Sequence, residues 1–185
     1  MTSGAQSDGP QFGPQPGPQF GPQVGPQPGP QFGPQPGPQP GPQVGPHLGT
    51  WMLLSYTRED LASGAKTDLF GAHPTGYLTY TPEGRMSSLF VRENRSAPAT
   101  MVPTDAERIE LYGGMLAYGG WYSIEGDIVR HHVDTSWNQI WTGTTTERQF
   151  RIEGDVLTIR TLPSPNPVDG RQSSSVLIWR RAKRR

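Results

Sequence analysis

Between Leu48 and Arg181 the chain reads as short runs of alternating apolar and polar residues, separated by turn residues at fairly regular intervals. A period of two marks half-buried β-strands, and a succession of such runs marks an all-β sandwich or barrel. The runs are Thr50–Thr57, Gly76–Thr81, Arg85–Arg92, Tyr118–Glu125, Ile128–Ser136, Thr145–Ile152, Val156–Leu162 and Ser175–Arg181. Pro82-Glu83-Gly84, Gly126-Asp127 and Gly154-Asp155 join neighbours as compact hairpin turns. Eight antiparallel strands in hairpin order predict an up-and-down barrel, which leaves no sheet edge exposed. One segment breaks the alternation. Pro103 precedes Thr104 and, three residues on, Glu107, a capping box in which each side chain satisfies an orphan amide of the first turn. Ile109 and Tyr112 share a face and Gly113-Gly114 stops the run, so a short helix is predicted across one barrel opening. It serves either as a lid over a ligand mouth or as a plug filling the barrel end.

The first quarter of the chain follows another rule. Residues 9–48 form ten Gly-Pro-Gln-x tetrapeptides, ending in the degenerate Gly45-Pro46-His47-Leu48. Proline lacks a backbone donor and glycine loses the most entropy on ordering, so neither sheet nor helix is expected there. A period of four excludes a collagen triple helix, which needs glycine at every third position. Residues 1–47 are thus expected to be a disordered tail with local polyproline character. Residues 48–181 form one barrel domain, and residues 182–185 a basic C-terminal tail.

Net charge is zero, unlike the large basic surplus of a general nucleic-acid binder. The basic cluster at Arg180, Arg181, Lys183, Arg184 and Arg185 reads as a solvated tail. Cysteine is absent, which removes thiolate catalysis and cysteine metal sites and fits a reducing compartment. The N-terminus lacks a secretory pattern and no apolar run reaches membrane-spanning length, so a soluble, cytoplasmic protein with no membrane partner is expected.

Gly49-Thr50-Trp51 has the glycine-x-tryptophan form that opens the first strand of lipocalins. With it come Pro74 to Met86, Tyr118-Gly119-Gly120-Trp121-Tyr122, Val129-Arg130-His131-His132-Val133, Trp141-Thr142-Gly143-Thr144, Arg148-Gln149-Phe150 and Gly154-Asp155-Val156-Leu157. Together these resemble, over nearly all of residues 48–181, the small lipocalin-like domain family of bacteria and fungi. The resemblance implies a calycin-type barrel. It implies no single activity, because related barrels include both carriers and enzymes of natural-product assembly. The Gly-Pro-Gln-x tail has no counterpart in that family.

Candidate chemistry follows from which face of each strand turns inward. On Ile128–Ser136 the more apolar set is Val129, His131, Val133 and Thr135, leading on to Trp137. His131 is then the cavity histidine and His132 the solvated one, and the two cannot share a metal, so no metal site is expected. On Thr145–Ile152, Arg148 falls among Thr146, Phe150 and Ile152. A guanidinium in such surroundings must be paired or stacked. Either it lies over an indole such as Trp51, as the lipocalin resemblance implies, with Arg180 as the rival for that role. Or it holds a ligand's carboxylate, enolate or phenolate through two parallel hydrogen bonds. Tyr80, Trp121, Trp137 and Phe150 are the expected ligand-contacting aromatics, although core packing explains most of the rings. Acidic residues cluster at turns, and there is no nucleophile elbow, phosphate loop or dinucleotide fingerprint.

A small hydrophobic molecule in the barrel is therefore the expected partner, with no cofactor. One reading makes the protein a cofactor-free isomerase, cyclase or dehydratase, with His131 moving a proton near neutral pH and Arg148 or Tyr80 stabilising oxyanion charge. A second makes it a carrier or sensor. A third makes the barrel a scaffold whose tail recruits a protein partner through repeated Phe and Val.

Overall fold

The computed structural model describes residues 44–166 and 169–183. The expected tail lies, but for residues 44–47, outside the described residues, as do Arg184 and Arg185. Ten strands and one α-helix follow in order: β1 (Gly49–Asp60), β2 (Lys66–Asp68), β3 (Thr75–Tyr80), β4 (Arg85–Val91), α1 (Asp105–Gly113), β5 (Met115–Glu125), β6 (Ile128–Ser136), β7 (Thr145–Glu153), β8 (Val156–Thr161), β9 (Ser164–Pro165) and β10 (Gln172–Arg181). A short 3-10 turn at Gln139–Trp141 joins β6 to β7.

Eight of the strands pair antiparallel in the order β1-β3-β4-β5-β6-β7-β8-β10, and β10 returns to β1. The sheet closes on itself, so every long strand has two neighbours. The two short strands are additions at one end: β2 lies against Thr57–Glu59 of β1, and β9 against Gln172 and Ser173 of β10. The tight turns at Gly126 and Gly154 have φ of 61° and 58°, where a side chain would be strained.

Alternation along the strands fills the interior. Trp51, Leu78, Tyr122, Val129, Leu157 and Trp179 are almost wholly buried, with Leu53, Met86, Phe90 and Ile159 around them. Two bulges interrupt that alternation. In β1 the register shifts between Leu53 and Ser55, so Tyr56, Arg58 and Asp60 pair with Leu177, Ser175 and Ser173 of β10. In β6, Val133 pairs with Gly120 and Thr135 with Gly119, leaving Asp134 as the extra residue.

The two ends of the barrel differ. At the closed end, Arg181 sets its guanidinium 4.1 Å from the centre of the Trp51 ring and donates to the carbonyls of Leu48 (3.0 Å) and Pro46 (2.5 Å). The Trp51 indole N–H donates to the His47 carbonyl at 2.8 Å. His47 closes the floor, only 6% exposed, with its Nε2 3.2 Å from the Tyr122 hydroxyl. The last repeat of the tail pattern is thus part of the folded barrel.

At the other end, the β4–β5 connection carries α1. Thr104 and Glu107 form the expected capping box, and the Gly114 amide closes the helix on Glu110. No residue of α1 is buried and Ile109 faces solvent. A plug must bury side chains, so the helix does not fill the barrel. It stands beside the mouth, with Tyr112 6.0 Å from the Trp137 ring.

Candidate functional site

The site begins where two strands part. The β7–β8 ladder ends at the pair Arg148↔Thr161. Beyond it, Thr145 and Thr146 pair with β6, while the chain after Thr161 swings away to form β9 on β10. The opening between them is an open space of about 600 Å³, lined by Arg58, Thr145–Arg148, Thr161–Asn166, Ser173 and Ser175. It lies at the open end, in the barrel's side wall.

Deeper in lies a slot of about 50 Å³, bordered among others by Ser88, Tyr118, His131, Trp141, Arg148 and Trp179. That is about the space of one or two waters, whose share of liquid volume is about 30 Å³. The barrel's own aromatics fill the rest. Arg148 and Thr161 border both spaces, so Arg148 stands at the neck.

Arg148 does not stack on Trp51, and neither does Arg180. Arg181 covers that ring, because inward alternation from Leu177 and Trp179 continues to Arg181. The one hydrogen bond the Arg148 side chain makes among the described residues is Nη1 to the Glu147 carbonyl, at 2.9 Å. It forms no ion pair there, whereas Arg85, Arg130 and Arg160 each hold a carboxylate. Its charge is felt by several groups around the slot, including His131, Tyr118 and Tyr80.

His131 is buried, held from both sides. Its Nε2 lies 2.7 Å from the Tyr80 hydroxyl and its Nδ1 2.9 Å from the Tyr118 hydroxyl. Burial, with the positive Arg148 and the neighbouring His132, pushes its pKa down to about 3. This corrects the expectation of a proton-transfer group balanced near neutral pH: the imidazole stays neutral and bridges two phenols. Burial likewise pushes Tyr80 and Tyr118 up, so both stay protonated. His132 faces outward between Ser123 and Thr145.

The four expected ligand-contacting aromatics separate. Tyr80 is buried behind His131 and borders neither space. Trp121 lies on the outer surface beneath the Arg85 guanidinium, 4.7 Å from its ring centre, and Arg85 also holds Asp134. The inward positions of β5 are Tyr118, Gly120 and Tyr122, and Trp121 takes the other face. Trp137 is at the rim and not on the inner wall, because the extra residue at Asp134 turns Thr135 out to solvent. There it packs on Trp141 at 5.1 Å, and Trp141 meets Tyr118 at 5.5 Å. Phe150 packs against the core opposite Ile159 and borders neither space.

Residues not singled out complete the site: Tyr118, Trp141, Ser88 and Arg58. Tyr118 was open to inference, since β5 residues two and four before Tyr122 share its face. Gly120 permits the close approach, because a Cβ there would stand 1.9 Å from the His132 carbonyl oxygen. Two residues that line these spaces carry a buried polar atom with no partner among the described residues. They are Thr146, through Oγ1 at the opening, and Trp179, through Nε1 at the slot. Donors left unpaired in this way mark a place where water or a ligand completes the bonding.

A closed eight-stranded antiparallel barrel with one side helix is a lipocalin-like architecture. The chain belongs to the lipocalin-like domain family, whose model matches residues 48–182. Among solved structures it is similar to a lipocalin-like protein from Bacteroides uniformis (14% identity, TM-score 0.41), with 75% of this chain and all of that chain covered. It is also similar to an uncharacterized protein from Bacteroides eggerthii (10% identity, TM-score 0.37), with coverage of 74% and 99%. No curated protein matches the chain.

Proposed function

We propose that the protein binds a small, largely apolar molecule bearing one acidic oxygen, taken up through the opening between β7 and β8. The observation that carries this reading is Arg148, a cation at the neck between slot and opening with no carboxylate partner among the described residues. A guanidinium so placed is completed by an anionic acceptor, while the aromatic rim of Trp137 and Trp141 suits a planar apolar body. Arg58, also on the opening, adds positive charge. The cytoplasm suits such a protein, given its lack of cysteine.

Binding without turnover is favoured over catalysis by His131, because a histidine held neutral to about pH 3 is a weak base. Native mass spectrometry of protein purified from its own host, followed by calorimetry with 2-naphthoate, tests the proposal. A bound species of a few hundred daltons, or 2-naphthoate binding weakened about tenfold by Arg148→Gln, is expected. Protein that carries nothing and takes up neither 2-naphthoate nor its methyl ester would overturn it.

A further inference from the structure

The hydrogen-bond chain through His131 has a direction, and that direction bears on what the slot accepts. A neutral imidazole has one N–H and one lone pair, so of its two phenol partners one donates to it and the other accepts from it. Hydrogens are assigned from the network, and here the network is decisive. Tyr80 is buried and its hydroxyl has no other hydrogen-bond partner among the described residues. Were Tyr80 to accept from Nε2–H, its own proton would be left buried and unbonded, which is costly. Tyr80 therefore donates to Nε2, and His131 Nδ1–H donates to the Tyr118 oxygen. The Tyr118 hydroxyl is then the far end of the chain, at the slot and hydrogen-bonded to Ser88, whose hydroxyl can turn its own proton onto the Tyr118 oxygen and leave the Tyr118 proton to a ligand. Each bond polarises the next, so this O–H is a stronger donor than an isolated phenol.

Other donors stand around the same slot. The Arg148 guanidinium borders it, and so does Trp179, only 1% exposed, whose Nε1–H has no acceptor among the described residues. The hydroxyls of Ser88 and Thr161 can turn either way, and no carboxylate among the described residues borders the slot. The surplus is of protons.

Resting on the binding site proposed above, we infer that Tyr118 is a specificity-determining donor, oriented by Tyr80 and His131 as positioning residues. Together with Arg148 it selects the deprotonated form of a weakly acidic ligand oxygen, a phenolate or enolate. A neutral alcohol or phenol brings its own proton into a slot already filled with donors and is disfavoured. The slot takes the oxygen and its carbon, while the larger opening takes the body of the molecule.

The probe is 4-nitrophenol, whose phenolate absorbs in the visible, with 4-nitroanisole as the matched neutral ether. Titrated with pH in the presence of saturating protein, the bound phenol should ionise at least about one unit lower than the free one, a tenfold preference for the anion. Tyr118→Phe should remove much of that shift, and Tyr80→Phe should reduce it although Tyr80 touches neither space. Tyr118→Phe should weaken the nitrophenolate several-fold more than it weakens 4-nitroanisole, whose ether oxygen is a weaker acceptor. Both probes binding with the phenol's ionisation unshifted or raised would overturn the inference and leave the binding site standing. Neither probe binding would overturn both. If Tyr118→Phe fails to fold, the wild-type titration alone decides.

Discussion

Replacing Arg181 by leucine should destabilise the barrel where replacing its neighbour Arg180 should not. Arg181 lies over the fully buried Trp51, bonds the carbonyls of Leu48 and Pro46, and its side chain is 31% exposed. The cation–π contact, partly out of water, contributes about 1 kcal/mol. Each charged hydrogen bond to a carbonyl contributes about 1 kcal/mol, taken low because the site is partly solvated. The contact with Asp155, 3.6 Å away and largely exposed, adds nothing counted here. The loss is therefore about 2–3 kcal/mol. For a domain of this size each kcal/mol shifts the melting temperature by about 3–4 °C, so the midpoint should fall by about 10 °C. Arg180 points outward and should melt like the wild type when replaced. Arg148→Leu should be neutral or mildly stabilising, since that guanidinium is partly desolvated without an acidic partner. Thermal unfolding followed by tryptophan fluorescence compares all three. A fall for Arg180→Leu as large as for Arg181→Leu, or none for Arg181→Leu, would refute the assignment of the floor.

Gly120→Ala should cost more than about 3 kcal/mol or abolish soluble expression, because its Cβ meets the His132 backbone, while Gly119→Ala, with its nearest contact at 3.3 Å, should be much milder. Stability should also depend on pH through His131. Between about pH 3 and its ordinary 6.5 the unfolded chain binds a proton that the folded state does not. Its contribution is therefore complete above pH 6.5 and falls by up to about 1.4 kcal/mol per unit as pH drops toward 3. His131→Gln should flatten that slope in urea titrations between pH 6 and 4, leaving the effects of His47, whose pKa burial also lowers, and of Asp60, Glu83 and Glu107, whose carboxyls hydrogen bonds hold below their ordinary values. A chain starting at Gly49 should melt below one starting at Val44, since it lacks the carbonyls of Pro46, His47 and Leu48 that hold Arg181 and Trp51.

Much of the barrel could be read from alternation alone. Strands β3, β4, β6, β7 and β8 begin and end within a residue of where apolar–polar patterning places them, and the capping box at Thr104 fixed the helix start. Faces were legible only where no bulge intervened. His131 and Arg148 come before the β6 bulge or on an unbroken strand, and both face inward. Trp137 lies after it, and the extra residue turned its neighbours over. Trp121 differs for another reason: it is expected at the ligand from its place in the stretch that resembles the family, whereas parity with the buried Tyr122 puts it on the outer face. The floor arginine was missed, since Arg148 and then Arg180 were the candidates for it, although parity from the buried Trp179 points to Arg181. Helix α1 has apolar residues at helical spacing yet buries none of them, because its contacts are with a rim and not with a core.

The parting of β7 from β8 makes the aperture of this barrel adjustable by steps. On the binding reading proposed above, a wider guest would need no hinged door. It can undo the ladder from its free end, first Arg148↔Thr161 and then Gln149↔Arg160, each step forfeiting the few backbone bonds of one pair. The seam unfastens toward the turn at Gly154, while the tryptophan floor is fastened by β10 and β1 and lies on another edge of the wall. Entrance size and fold integrity are thereby governed by different stretches of chain, so residues 145–147 and 162–166 can change in kind or number without loosening what keeps the barrel shut.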